Sequence, residues 1–216
     1  MSARSISRIL AVAIVMSAAL PGALVNTPRA WAEPCPDSEV VFARGTGEPP
    51  GVGGVGQAFI DSLRSQVPGR SIGVYPVNYP ATNDYLNSAL AGADDASAHI
   101  KDMVASCPNT RLVLGGYSQG AGVIDLATNS MPAGVADHVA AVALFGNPES
   151  AYAKSLAGGQ LPAISAVYRP KTIDSCIPSD IICDDSGNMV AHLLYVPDMT
   201  NQAATFTASR LGSSAA

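Results

Sequence analysis

Charge is scarce in this sequence: 13% of the residues are Asp, Glu, Lys or Arg, with 12 basic against 17 acidic. No basic cluster forms a stripe that could follow a phosphate backbone, which argues against a nucleic-acid partner. Histidine is scarcer still, with three scattered copies, and none of the four cysteines forms a CxxC pair. A zinc site is therefore not the expected reading of those residues. The P-loop pattern GxxxxGK[ST] is absent as well, so the glycine-rich stretch 45–56 is not read as a phosphate cradle. What the chain does have is apolar material: 48% of its 216 residues are hydrophobic. That is enough to bury a core, leaves too little charge for a disordered chain or a coiled coil, and fits one domain.

The longest N-terminal apolar run, Ile9 to Leu20, is about 12 residues where a membrane span needs about 20, and Pro21-Gly22 ends it. Arg4 and Arg8 precede the run and Ala30-Trp31-Ala32 supplies small residues for a signal peptidase. Residues 1–32 are read as a signal peptide and 33–216 as the mature domain, secreted and without an integral membrane segment. Cleavage after Ala32 removes three of the 12 basic residues and none of the acidic ones, leaving nine against 17, a net charge of −8.

All four cysteines, Cys35, Cys107, Cys176 and Cys183, lie in the mature part, and an even count in an exported chain predicts two disulfides. Three pairings are possible. The spacing favours Cys176 with Cys183 around a small loop, which leaves Cys35 for Cys107. By chain entropy the long bridge would contribute about 4 kcal/mol and the short one about 2.5 kcal/mol.

Strand-like and helix-like segments take turns along the mature chain. Strands are expected at Glu39 to Ala43, Ser71 to Val77, Thr110 to Gly116, Val139 to Phe145 and Ile164 to Tyr168. Helices are expected at Val55 to Val67, from an Asp84 cap to about Ser106 with an apolar stripe of Leu86, Leu90, Ile100, Met103 and Val104, at Gln119 to Asn129, and at Asp198 to Leu211. This alternation predicts an α/β fold, a mostly parallel sheet with helices on both faces and chemistry at the carboxyl ends of its strands.

The turn after Leu114 contains GxSxG at Gly116, Ser118 and Gly120, between a β-rich run and an amphipathic helix. In that context the pattern is a nucleophile elbow, in which small residues two positions either side of the serine let strand and helix come close. A serine hydroxyl is a weak nucleophile and needs a histidine base steadied by a carboxylate, in the chain order Ser, Asp, His. His99 falls inside the long helix and His138 just before a strand, so both read as packing or surface histidines. His192 is the remaining histidine, and it lies downstream of Ser118 with acids between. Of Asp174, Asp180, Asp184 and Asp185, the Cys176–Cys183 loop would hold Asp180 rigidly.

With these residues the chain resembles the cutinase family over nearly the whole mature part. The segment Pro108 to Gly120 matches the family's nucleophile segment, and Cys176, Asp180, Ile181-Ile182, Cys183 and His192 match its second signature. The resemblance implies an α/β-hydrolase-type three-layer sandwich without a large lid, a triad of Ser118, Asp180 and His192, and disulfides Cys35–Cys107 and Cys176–Cys183. It also implies an oxyanion hole made by Thr46, where the family commonly has serine, and by the backbone N–H of Gln119. One departure lies two positions past Cys183, where Asp185 replaces the family's usual glycine. An extra carboxylate there would raise the pKa of His192.

The implied activity is secreted serine esterase chemistry on short to medium acyl esters, with no metal or organic cofactor required and a monomer expected. Activity should fall as pH drops through the imidazole range, about 6.5 for an ordinary histidine. Leu193, Leu194 and Val196 suggest an acyl chain near the base. Lipase, phospholipase and thioesterase activities are alternatives on related frameworks. So is an exported cell-envelope binding protein with little turnover.

Overall fold

Five strands, β1 Ser38–Ala43, β2 Ile72–Pro76, β3 Arg111–Tyr117, β4 Val139–Phe145 and β5 Thr172–Ser175, lie parallel in the order β2-β1-β3-β4-β5. The computed structural model describes residues 34–159 and 161–212. The expected signal peptide, residues 1–32, lies outside the described residues. Helices α1 Gly53–Gln66, α2 Tyr85–Ser106, α3 Gln119–Ser130, α4 Ala151–Leu156 and α5 Asp198–Leu211 complete the frame.

The period-two geometry of a strand divides the core between the two faces of the sheet. Val41, Ala43, Leu112, Leu114, Val142 and Leu144 pack with α2 and α3 on one side. Val40, Phe42, Val113, Ala143 and Phe145 pack with α1 and α5 on the other, where Phe42, Phe59 and Phe145 lie with ring centroids 5.8–6.3 Å apart. Both faces are covered, so the central strands read as continuous apolar runs instead of alternating ones. Together these layers make the α/β-hydrolase-type sandwich.

Three sequence expectations are corrected. The predicted strand at Ile164 to Tyr168 is not one: the segment is loop and turn, with Tyr168 buried in the core, and the fifth strand is the more polar Thr172–Ser175. Two prolines, Pro162 and Pro170, bracket the segment, and proline removes a ladder donor. Asp84 occupies the cap position of α2, but its carboxylate accepts from the Asn87 side chain at 3.0–3.1 Å instead of capping the backbone. The first half of α2 does not bury its leucines either. Leu86 and Leu90 are exposed while Ser88, Gly92, Ala93 and Ala96 face inward, because a Cβ at Gly92 would already press on Val123 and Tyr79. Small residues bring α2 close to α3.

In this strand order the chain reverses direction across the sheet between β1 and β3. A ligand crevice is expected at that switch point, beyond the carboxyl ends of the two strands. The loop after β1 and the turn after β3 meet there.

Candidate active site

Ser118 stands between β3 and α3 with φ 57° and ψ −124°, a conformation that costs a non-glycine residue about 1–3 kcal/mol. The surroundings over-determine it. A Cβ at Gly116 would run into the Gly120 carbonyl, and one at Gly120 into the Ala43 and Arg44 carbonyls, so the elbow closes only with glycine at both positions. The Ser118 N–H donates to the Phe145 carbonyl at 2.9 Å, which anchors the turn to β4.

His192 and Asp180 are brought together by a separate piece of chain. Two disulfides are present, Cys35–Cys107 and Cys176–Cys183, as the spacing favoured. The second encloses the loop that carries Asp180, and backbone bonds from Asp180 N to Ile177 O (3.0 Å) and from Asn188 N to Ser179 O (2.7 Å) fix that loop further. Asp180 is fully buried and its Oδ2 lies 2.7 Å from His192 Nδ1, while Oδ1 accepts from the Ile182 N–H at 2.9 Å. Burial alone would push this carboxyl up. The hydrogen bonds from His192, from Tyr195 and from the Ile182 N–H outweigh it and hold the group below the ordinary carboxylate range. An ionised carboxylate can only accept, so the proton in this pair sits on Nδ1 and leaves Nε2 with its lone pair.

Residues absent from the sequence reading frame the pair. The Tyr117 ring stacks on the imidazole with centroids 4.9 Å apart, and its hydroxyl donates to the His192 carbonyl at 2.7 Å. Because Tyr117 is the residue before Ser118, this stack joins the base to the elbow. Gly146, with φ +55°, follows the Phe145 that anchors Ser118, and a Cβ there would lie 2.7 Å from His192 Cε1 and 3.0 Å from Asp180 Oδ2. Tyr195 donates to Asp180 Oδ2 at 2.5 Å. A tyrosine three residues past the histidine was visible in the sequence, and a buried phenol needs a hydrogen-bond partner, but its partner depends on loop geometry.

The loop after β1 is tightly braced. Arg44 donates from Nε to the Glu48 carbonyl and from Nη2 to the Tyr79 carbonyl, both at 2.8 Å, and Glu48 accepts from the N–H groups of Gly45 (2.6 Å) and Gly54 (2.8 Å). Thr46 sits on this brace with its Oγ1 buried and without a hydrogen-bond partner among the described residues. Gln119 opens α3. Its side chain is locked, with Oε1 accepting from Ser88 and Nε2 donating to the Thr82 carbonyl, both at 2.9 Å.

Asp185 accepts from the Ala151 N–H at 2.6 Å, tying the acid loop to the start of α4. One expectation about the surroundings is corrected: Leu193, Leu194 and Val196 are exposed and do not line the crevice. Instead, an open cleft of about 560 Å³ runs from Ser118 and Gln119 between Leu86, Leu126, Leu156, Leu161 and Ile182. His99 and His138 lie elsewhere, with His99 stacked on Tyr75 and 2.6 Å from Glu39. Among the described residues no group of three or more His, Cys, Asp or Glu could hold a metal ion. No helix among them is long and apolar enough to cross a membrane.

The family model described as Cutinase matches residues 34–211. The chain is 59% identical over 213 residues to Carboxylesterase Culp1 of Mycobacterium tuberculosis, covering 98% of both chains. It is 52% identical to Phospholipase Culp4 of the same organism, covering 92% of this chain and 90% of that one. Among solved structures it is similar to Trichoderma reesei cutinase in complex with a C11Y4 phosphonate inhibitor, with a TM-score of 0.69, 37% identity and coverage of 83% of this chain and 78% of that one.

Proposed function

The chain belongs to the cutinase family and is a cutinase-like carboxylic ester hydrolase, and from that premise we propose that Ser118, His192 and Asp180 are its triad. The observation that carries the reading is the buried 2.7 Å contact of Asp180 with His192 Nδ1, beside a backbone-strained Ser118 at the end of an apolar cleft. His192 Nε2 takes the Ser118 proton as the hydroxyl oxygen attacks the ester carbonyl. The imidazolium so formed is stabilised by ionised Asp180. The N–H of Gln119 and the Thr46 hydroxyl receive the oxyanion, and the unpartnered, buried Thr46 Oγ1 supports this role because the tetrahedral intermediate would supply its missing acceptor. His192 then protonates the departing alcohol, and water reverses the sequence on the acyl-enzyme.

The acyl chain lies in the apolar cleft between Leu86, Leu126 and Leu156, and the esters expected are of short to medium chain. The 52% identity to Phospholipase Culp4 favours lipid-derived esters as a substrate class. Residues 1–32 direct export, and the two disulfides fit an oxidising compartment, either free outside the cell or at its envelope.

Hydrolysis of p-nitrophenyl esters of graded acyl length tests the assignment. Wild type should turn over with an optimum at short or medium chains, and Ser118→Ala should lose activity by about 10³-fold or more. Equal rates for the two proteins would remove Ser118 from the mechanism, and an optimum at long chains would overturn the substrate assignment.

A further inference from the structure

Tyr195 lies wholly inside the protein, three residues past the proposed base. Its ring packs edge-on against His192 (6.1 Å, 83°), Tyr117 (5.8 Å, 61°) and Phe145 (6.2 Å, 82°). Packing of that kind would be served equally by phenylalanine. The hydroxyl is placed more specifically. It donates to Asp180 Oδ2, the same oxygen that faces His192 Nδ1, and it accepts from the Ile177 N–H at 3.3 Å, which leaves its single proton directed at the carboxylate.

We infer that Tyr195 is a positioning residue of the hydrolysis, its hydroxyl sharing Asp180 Oδ2 with the imidazole and so limiting how strongly the carboxylate holds the imidazolium. The inference rests on the triad reading. Two donors on one oxygen divide its charge between them, so neither bond is as strong as it would be alone. In the catalytic step the proton passes from Ser118 to His192 Nε2 and back out to the leaving alcohol. Asp180 and Tyr195 keep their own protonation throughout, because burial and the Asp180 carboxylate drive the Tyr195 phenol far above its ordinary range. An imidazolium held too tightly by Asp180 would be slow to return its proton to the leaving group.

Other ionisable groups that face this corner are few. Tyr117 comes from the end of β3 and Glu48 from the loop after β1. Within the acid loop Asp184 is bonded to Ser179 and Ser186, and Asp185 to Ala151. None of them touches Asp180 Oδ2, so a change at Tyr195 acts on the pair directly.

The test is the pH profile of kcat/KM for an activated ester, measured on wild type, Tyr195→Phe, Asp180→Asn and a protein with 3-fluorotyrosine at position 195. Removing the hydroxyl concentrates the carboxylate charge on the imidazole, so the acid limb of the Tyr195→Phe profile should move to higher pH by at least about half a unit, with KM little changed. The fluorinated phenol is a stronger donor, keeps the shape and packing of tyrosine, and should move the limb the other way. It also keeps the test open if Tyr195→Phe does not fold. Limbs that coincide with wild type while Asp180→Asn is inactive would reduce Tyr195 to packing and overturn the inference alone. Full activity in Asp180→Asn would overturn the triad reading and this inference with it.

Discussion

Two aspartates of this protein are closed off from solvent, and their carboxyl groups shift in opposite directions. Asp180 and Asp125 are both 0% exposed. Asp180 receives three hydrogen bonds, from His192, Tyr195 and the Ile182 N–H, and is held ionised below the ordinary carboxylate range. Asp125, on α3 two turns beyond Ser118, receives one side-chain bond, from Asn147 Nδ2 at 3.1 Å, and its Oδ1 has no partner among the described residues. Burial pushes its carboxyl up to about 7, with Asp174 and Glu149 adding to the rise against the Asn147 bond. Asp125 also has more protein packed around it, so the difference teaches that donors and depth together decide whether a buried carboxylate keeps its charge. It also separates an acid that can stabilise an imidazolium from one that only burdens the fold at neutral pH.

The sharpest way to break the comparison is to remove each charge in turn. Asp180→Asn should lower kcat/KM by about 10⁴-fold, since the amide stabilises neither the imidazolium nor the right tautomer. Asp125→Asn should leave activity within about threefold of wild type. Steady-state kinetics on one activated ester checks both, and comparable losses would erase the distinction.

Gly146→Ala attacks the same corner through shape. The added methyl group meets His192 and Asp180 at a backbone φ of +55°, so activity should fall by about 10²-fold, with about 1–3 kcal/mol of stability lost in denaturant unfolding. Cutting the Cys176–Cys183 bridge with serine at both positions loosens the loop that presents Asp180. A loss of up to about 2.5 kcal/mol is expected, together with a larger fractional loss of activity than of secondary structure, followed by circular dichroism and turnover on the same sample.

The smallest effect belongs to Asp125 and depends on pH. Its folded-state pKa lies above the unfolded value of 3.8, so the folded protein binds the proton more tightly. The stability this proton provides is complete below about pH 4, declines as pH rises, and is gone above about 7. The shift sets a ceiling of about 4 kcal/mol, of which about 1–2 kcal/mol should survive relaxation of the site. The Tm of Asp125→Asn relative to wild type should therefore be near zero at pH 4 and grow by a few degrees up to pH 7 or 8. A difference that is flat with pH would contradict the assignment.

Much of this frame was legible because it follows from local rules. The apolar runs of β1, β3 and β4, the elbow glycines and the cysteine spacing each carry their own physical requirement. Motif order singled out Ser118, Asp180 and His192 as the proposed triad. The errors arose where tertiary contacts override a local pattern. Leu86 and Leu90 look like a core stripe, but the small residues of α2 form the close contact and Leu86 faces the cleft. Ile164 to Tyr168 is β-rich in composition yet bounded by prolines. Gly146 and Tyr195 stayed hidden because their contacts with His192 and Asp180 depend on how the acid loop folds back onto the end of β4, which spacing alone does not encode.

The most direct test of the central claim, that the Asp180–His192 pair activates Ser118, is to react the protein with a fluorophosphonate and locate the adduct by mass spectrometry. The account predicts one phosphonyl group per chain, on the peptide that contains Ser118, formed rapidly by wild type and at least about a hundredfold more slowly by Asp180→Asn. An adduct on another residue, or equal labelling rates in the two proteins, would contradict it.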